Sequence, residues 1–244
     1  MIRLAILDCD ILYPELQPQW HSYGEMFRRL LGEAGVDWDM RLYTVINGEY
    51  PASPDEADAF LITGSKYDAF ADEDWVRRLR EYVRTLYAQG KPLIGICFGH
   101  QLLAHALGGE AARSDKGWGL GVMRYELQER PGFIDEGDAV RLIASHRDQV
   151  RRLPADARLL LSNAFCPLAG FHVPGRLLAL QGHPEFTARY AQDLLDCRKD
   201  RLPAATVTAA RRTLVAEEAE GIRVGRWIRR FVVGCVESFG RSPP

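Results

Sequence analysis

The 244-residue sequence has no apolar run near the roughly 18 residues a bilayer-spanning helix needs, and its N-terminal run Ile2 to Leu7 is too short for a secretory leader. Positive charge is not in surplus. Lys and Arg number 31 against 33 Asp and Glu, a net charge of -2 that leaves no footprint for nucleic acid or an anionic membrane surface. There is no C-x-x-C pair, no repeat and no low-complexity linker. The five cysteines (Cys9, Cys97, Cys166, Cys197 and Cys235) are odd in number and scattered, which argues against a zinc site or a disulfide framework and fits the reducing cytoplasm. No metal or cofactor is expected. What remains, 47% hydrophobic and 26% charged residues, is the composition of a soluble globular chain with a real core. The expected partner is a small molecule or another protein.

Along the chain, buried-strand patterns alternate with helical ones. Ile2 to Leu7 is nearly continuous apolar sequence, the mark of a strand covered on both faces and hence of a parallel sheet. A helix-like segment follows at Tyr23 to Leu31, then strands at Asp39 to Val45 and Ala59 to Thr63, the latter stopping at Gly64. Asp72 to Gln89 has helical spacing in Trp75, Leu79, Tyr82, Val83 and Leu86 and ends at Gly90. Pro92 to Ile96 predicts a short buried strand running into Cys97, with a helix beyond it that Gly108 and Gly109 end. Further strands are expected at Val122 to Leu127, Val140 to Ala144, Arg158 to Ser162 and Leu177 to Gln181, with antiparallel hairpins possible among them. From Thr187 the character turns helical. In the last segment Val224, Trp227, Ile228, Phe231, Val232 and Cys235 form an apolar stripe, and Arg223, Arg226, Arg229 and Arg230 are expected on its solvated face. The pattern predicts an α/β fold with helices on both faces of a mostly parallel open sheet, organised as residues 1–190 followed by a helical extension over 191–244 packed on the same domain.

Gly95-Ile96-Cys97-Phe98-Gly99 has the spacing of a nucleophile elbow, in which the central residue occupies strained backbone between strand and helix. Residues two before and two after must be small because the chain passes close to itself. Alone the pattern is weak, but here a buried strand precedes it and a helix follows. A free thiol with a pKa of about 8.5 is mostly protonated at neutral pH, and a helix N-terminus and a neighbouring imidazolium both favour the thiolate. The other four cysteines read as small buried hydrophobes.

Leu177 to Gln181 leads into Gly182-His183-Pro184-Glu185, a histidine at a strand's C-terminal end with a carboxylate two residues on. Pro184 restricts the backbone on both sides, and the carboxyl edge of an open α/β sheet is where active sites gather. His183 can act as general base toward Cys97, with Glu185 holding its tautomer.

Together G-I-C-F-G-H-Q and the distant Q-G-H-P-E resemble the class I (triad) glutamine amidotransferases, over about residues 1 to 190. Ser145-His146-Arg147-Asp148 and Cys166-Pro167 are similar to the amidotransferase domain of GMP synthase. Ile62-Thr63-Gly64-Ser65-Lys66 and Lys116-Gly117-Trp118 look more like free-standing relatives, γ-glutamyl peptidases among them. The S-G-G-x-D-S run of the GMP synthase ATP-pyrophosphatase half is absent. The resemblance implies a flavodoxin-like fold, a Cys97–His183–Glu185 triad, an oxyanion hole from the N–H groups of Gly64 and Phe98, and substrate contacts from Gln101, Ser145 and His146. Gln101 could instead cap a helical turn, and His146 could be structural. His21, His100, His105 and His172 have no supporting pattern. The implied chemistry is attack of Cys97 on the γ-carbonyl of a γ-glutamyl amide and hydrolysis of the resulting thioester. Two functions share it: a glutaminase whose ammonia feeds a synthetase, and a stand-alone γ-glutamyl peptidase or hydrolase. A non-catalytic regulatory module is the third possibility. Chaperone-like and protease-like relatives carry a similar cysteine elbow, but His183-Pro184-Glu185 argues against them.

Overall fold

In chain order the strands are β1 (Arg3–Asp8), β2 (Asp39–Thr44), β3 (Ala59–Ile62), β4 (Leu93–Ile96), β5 (Glu110–Arg113), β6 (Gly119–Leu127), β7 (Ala139–His146), β8 (Asp148–Arg152), β9 (Arg158–Ser162), β10 (Gly170–Val173) and β11 (Leu177–Leu180). The helices are α1 (Gln17–Trp20), α2 (Tyr23–Glu33), α3 (Asp74–Ala88), α4 (Phe98–Ala106), α5 (Ala188–Arg198), α6 (Ala204–Ala216) and α7 (Gly221–Phe239). This is a computed structural model, and it describes residues 1–135 and 137–239, the last without its side chain.

Nine strands form one sheet in the order β2-β1-β3-β4-β11-β10-β9-β6-β7. From β2 to β11 every neighbour is parallel, and from β11 to β7 every neighbour is antiparallel. The fold is therefore the expected flavodoxin-like α/β type, with a mostly parallel centre extended by an antiparallel wing. β5 and β8, which had no counterpart in the sequence pattern, pair in a separate two-stranded ribbon.

Alternation along the parallel strands divides the core in two. Leu4, Ile6, Leu61, Ile94, Leu178 and Leu180 face α2 and α7, whereas Ala5, Leu7, Phe60, Ile62, Leu93 and Ala179 face α3 and α4. The α7 stripe of Val224, Trp227, Ile228, Phe231, Val232 and Cys235 is wholly buried in the first of these cores. Each large apolar side chain so covered contributes about 1.5–3 kcal/mol, which is what holds this last helix to the sheet. Arg226, Arg229 and Arg230 are exposed as expected. Arg223 is not: it is mostly covered, donates to Asp135 Oδ1 at 2.8 Å, to the Ala139 carbonyl at 2.8 Å and to Glu220 Oε1 at 2.9 Å, and ties the start of α7 to the loop before β7. Pairing with Asp135 and Glu220 outweighs full hydration for that one arginine.

The parallel topology brings three chain ends together. Thr63-Gly64 follow β3, Cys97 follows β4 and His183 lies just beyond β11, all at the carboxyl edge of adjacent strands.

Candidate active site

Cys97 is the N-cap of α4 and has φ 53° and ψ -100°, one of two non-glycine residues with positive φ among those described. Its backbone is pinned from both sides: its N–H donates to the Leu180 carbonyl at 2.9 Å, and its own carbonyl accepts from Gln101 N–H at 3.1 Å. The small flanking residues are compulsory. A Cβ at Gly95 would stand 2.6 Å from the Gly99 carbonyl oxygen, and one at Gly99 would stand 2.3 Å from that of Ile62. The elbow is thus wedged against β3, and its thiol sits at the start of a helix, where unsatisfied N–H groups favour negative charge.

His183 reaches this point from the opposite wall. Its N–H donates to the Ile143 carbonyl at 2.8 Å, so β7 fixes the backbone that Pro184 also restricts. The ring Nδ1–H donates to Glu185 Oε1 at 2.7 Å, both residues being 3% exposed, and Phe186 stacks on the imidazole at 3.9 Å between centroids. With Nδ1 committed to Glu185, Nε2 is left for the thiol. Burial works to lower the imidazole's pKa, but the charge of Glu185 and of Cys97, together with hydrogen bonds to both, pushes it up to about 10. The arrangement therefore favours an imidazolium beside Cys97.

Gly64 closes the third side. A Cβ there would lie 2.9 Å from His183 Cε1 and 3.7 Å from Cys97 Cβ. Phe98 turns its ring away onto Trp75, with centroids 5.5 Å apart, while its N–H belongs to the first turn of α4 and faces no helical carbonyl. Two backbone segments that can supply N–H donors thus flank the thiol.

Cys97, Gln101, Ser145, His146 and His183 line one cleft, and Glu185 supports it from behind. Gln101 Nε2 donates to the Asp148 carbonyl at 2.8 Å and to Gln181 Oε1 at 3.0 Å, which fixes the amide against the cleft wall. Ser145 Oγ accepts from Arg198 Nη1 at 3.3 Å. His146 Nδ1 lies 3.1 Å from the Asp148 carbonyl, and burial lowers its pKa to about 4, so the ring is neutral at ordinary pH. Burial likewise pushes the Asp148 carboxyl up to about 6, with Asp68 beside it adding to the shift. Of the four histidines without a pattern, His100 is buried and lowered to about 3, and His172 is tied to Glu129 at 2.9 Å.

The cleft also takes in residues the sequence pattern did not single out: Asp10, Tyr23 and Arg198. Lys66, Trp118 and Arg147 join them from segments noted only for their resemblance. Asp10 and Lys66 form an ion pair at 3.0 Å. Arg198 comes from the end of α5, more than a hundred residues from Cys97, and nothing in its sequence neighbourhood marks it.

The family model for class-I glutamine amidotransferases matches residues 20–196. Gamma-glutamyl peptidase 4 of Arabidopsis thaliana is 35% identical over 183 residues, covering 72% of this chain and 72% of that protein. The glutamine-hydrolyzing GMP synthase of Aeropyrum pernix is 31% identical over 178 residues, covering 72% of this chain and 33% of the synthase. Among solved structures, a glutamine amidotransferase from Thermotoga maritima superposes with a TM-score of 0.76 at 22% identity, covering 95% of this chain and 98% of that one.

Proposed function

The chain belongs to the class-I glutamine amidotransferase family, a hydrolase-like enzyme, and from that premise we propose that it cleaves γ-glutamyl amides through a glutamyl thioester on Cys97. The observation that carries this reading is the buried 2.7 Å His183–Glu185 pair set against a cysteine held at φ 53°.

In this mechanism the Cys97 thiolate attacks the γ-carbonyl carbon. The developing oxyanion accepts hydrogen bonds from the Gly64 and Phe98 N–H groups, donors of a kind worth about 10² to 10³ each in turnover. The His183 imidazolium gives its proton to the leaving nitrogen, the C–N bond breaks, and the amine or ammonia departs. Neutral His183 then takes a proton from water as that water attacks the thioester, a role worth roughly 10² to 10⁴. Collapse releases glutamate and restores thiolate and imidazolium. Glu185 fixes the ring and stabilises its charge throughout, and Gln101, Ser145 and His146 bind the substrate. Residues 1–190 form the catalytic domain in this reading, with 191–239 as its helical extension; the rest of the expected extension, 240–244, lies outside the described residues.

A leaving group larger than ammonia is favoured by the similarity to a γ-glutamyl peptidase over 72% of that protein's length, and by a cleft that continues past the triad to Trp118 and α5. The alternative, release of ammonia to a separate synthetase, is supported by the likeness to the amidotransferase part of a GMP synthase. Steady-state hydrolysis of glutamine, γ-glutamyl peptides and γ-glutamyl amines by the isolated protein decides between them. We expect turnover of at least one, with a glutamyl adduct on acid-quenched wild type and none on Cys97→Ala. Turnover of glutamine alone, weak until a synthetase is added, would establish the ammonia-donor role.

A further inference from the structure

Two guanidinium groups stand over one aromatic ring in the cleft. Arg198 Cζ is 4.7 Å and Arg147 Cζ 5.4 Å from the centroid of Trp118, and all three side chains line the same cleft as Cys97 and His183. They are held in place. Trp118 is half-buried, Arg198 also donates to Ser145 Oγ at 3.3 Å, and stacking on an indole fixes the plane of a guanidinium.

The neighbouring cations are held in close ion pairs, whereas these two are paired loosely or not at all. Lys66 is paired with Asp10 at 3.0 Å and Arg113 with Asp68 at 3.0 Å. Among the described residues Arg198 has no carboxylate partner. The carboxylate oxygen nearest Arg147 is Asp148 Oδ1, 3.9 Å away and shared with Arg113 at 3.5 Å, and Arg147 Nε is buried without a hydrogen-bond partner. Two positive charges partly withdrawn from water, with one distant and shared carboxylate between them, make a site that an anion completes.

Which end of a substrate that anion belongs to follows from the rest of the cleft. The acyl carbon must sit between Cys97, Gly64 and the Phe98 N–H, and Gln101 serves the α-amino-acid end of the glutamyl group. Ammonia has no use for two guanidiniums and an indole. We propose that Arg147, Arg198 and Trp118 form the leaving-group subsite and select γ-glutamyl compounds whose leaving amine carries a free carboxylate, such as an amino acid or a short peptide. This inference rests on the γ-glutamyl hydrolase reading and names the substrate class of the same cleft. Trp118 supplies a flat wall for the leaving group, and the arginines can grip the carboxylate by paired N–H donors.

The test uses a γ-glutamyl dipeptide and its C-terminal amide, which differ only in the leaving-group charge. With wild type, kcat/KM should favour the free acid by about tenfold or more, the usual worth of one charge-assisted contact. In Arg198→Met and Arg147→Met, which keep an apolar stem over Trp118, that ratio should fall toward one, mainly through KM. Equal loss for both compounds in the variants, or no preference in wild type, overturns the proposal. An equal loss would mean that the arginines bind the glutamyl carboxylate or merely support the fold. Calorimetric binding of the same two compounds to Cys97→Ala separates this from the hydrolytic reading. Preference for the acid that Arg198→Met abolishes, without hydrolysis by wild type, upholds the subsite and sinks the reaction. Hydrolysis without that preference does the reverse.

Discussion

Gly64 lies so close to His183 that a methyl group on it would stand 2.9 Å from the imidazole Cε1. The ring cannot move aside cheaply, because Glu185 holds Nδ1 at 2.7 Å and Phe186 covers one face at 3.9 Å. Gly64→Ala should therefore displace the base or tilt the loop that carries the Gly64 N–H, and lower kcat/KM by about 10² or more. The thermal unfolding temperature should fall as well, since relieving the clash strains either a buried loop or a ring held on two sides. Wild-type rates in Gly64→Ala would remove both the loop and the imidazole from the reacting geometry.

Cys97 gives a second test, of backbone strain. At φ 53° and ψ -100° a Cβ costs roughly 1–3 kcal/mol that glycine does not incur. At an ordinary helix N-cap glycine is already better than alanine, by about 1 kcal/mol or less. Here the strained backbone should widen that gap, with Cys97→Gly more stable than Cys97→Ala by about 2 kcal/mol or more in urea titrations and both devoid of hydrolysis. A gap no larger than the ordinary N-cap difference would show that the elbow relaxes when the thiol is removed.

The parts of the molecule legible in the sequence are those where one periodicity acts over enough residues. β1, β4 and β11 read as buried strands because both of their faces are covered, and the α7 stripe read as core because its apolar residues recur at helical spacing. β5 and β8 were not legible: a two-stranded ribbon with Glu110, Arg113, Asp148, Arg151 and Arg152 among its residues has no apolar period to detect. β10 is four residues long and includes His172, whose pairing with Glu129 is a distant contact. Cys97 and His183 stood out because strand-end backbone needs fixed neighbours: Gly95 and Gly99 for Cys97, Pro184 for His183. The rest of the cleft did not. Asp10, Tyr23 and Arg198 stand on different elements and are neighbours only after folding, and the contacts with Asp135 and Glu220 that withdrew Arg223 from the solvent face are likewise tertiary facts.

The raised pKa of His183, about 10 in the folded protein against roughly 6.5 in an unfolded chain, has a definite sign. The folded state holds that proton more tightly, so the stability it contributes is complete below about pH 6.5 and is lost as pH rises through about 10. Glu185→Gln removes a main source of the upward shift while burial, which lowers the pKa, remains. Urea midpoints of wild type should fall across that window, and those of Glu185→Gln should fall less. The alkaline limb of kcat/KM should move to lower pH in the variant. Identical pH profiles for the two proteins would show that Glu185 does not set the charge of His183.

Selective alkylation tests which thiol is reactive. Burial pushes the thiols of Cys166 and Cys235 up to about 12 and that of Cys9 well above its ordinary value, and Cys197, half-buried beside Glu15, Asp193 and Asp196, is raised as well. A raised pKa keeps these four thiols protonated at neutral pH, and burial shields three of them, Cys9, Cys166 and Cys235. Cys97 alone combines a helix start, an adjoining imidazolium and an open cleft. A chloroketone or diazoketone analogue of glutamine should consequently modify one thiol of the five, and peptide mapping should place the adduct at Cys97. His183→Ala should slow that labelling by at least tenfold, because the thiolate loses its counter-charge, whereas a general thiol reagent in urea should modify all five cysteines in both proteins. An adduct at any other cysteine, or labelling of His183→Ala at the wild-type rate, would mean that Cys97 does not draw its nucleophilicity from His183.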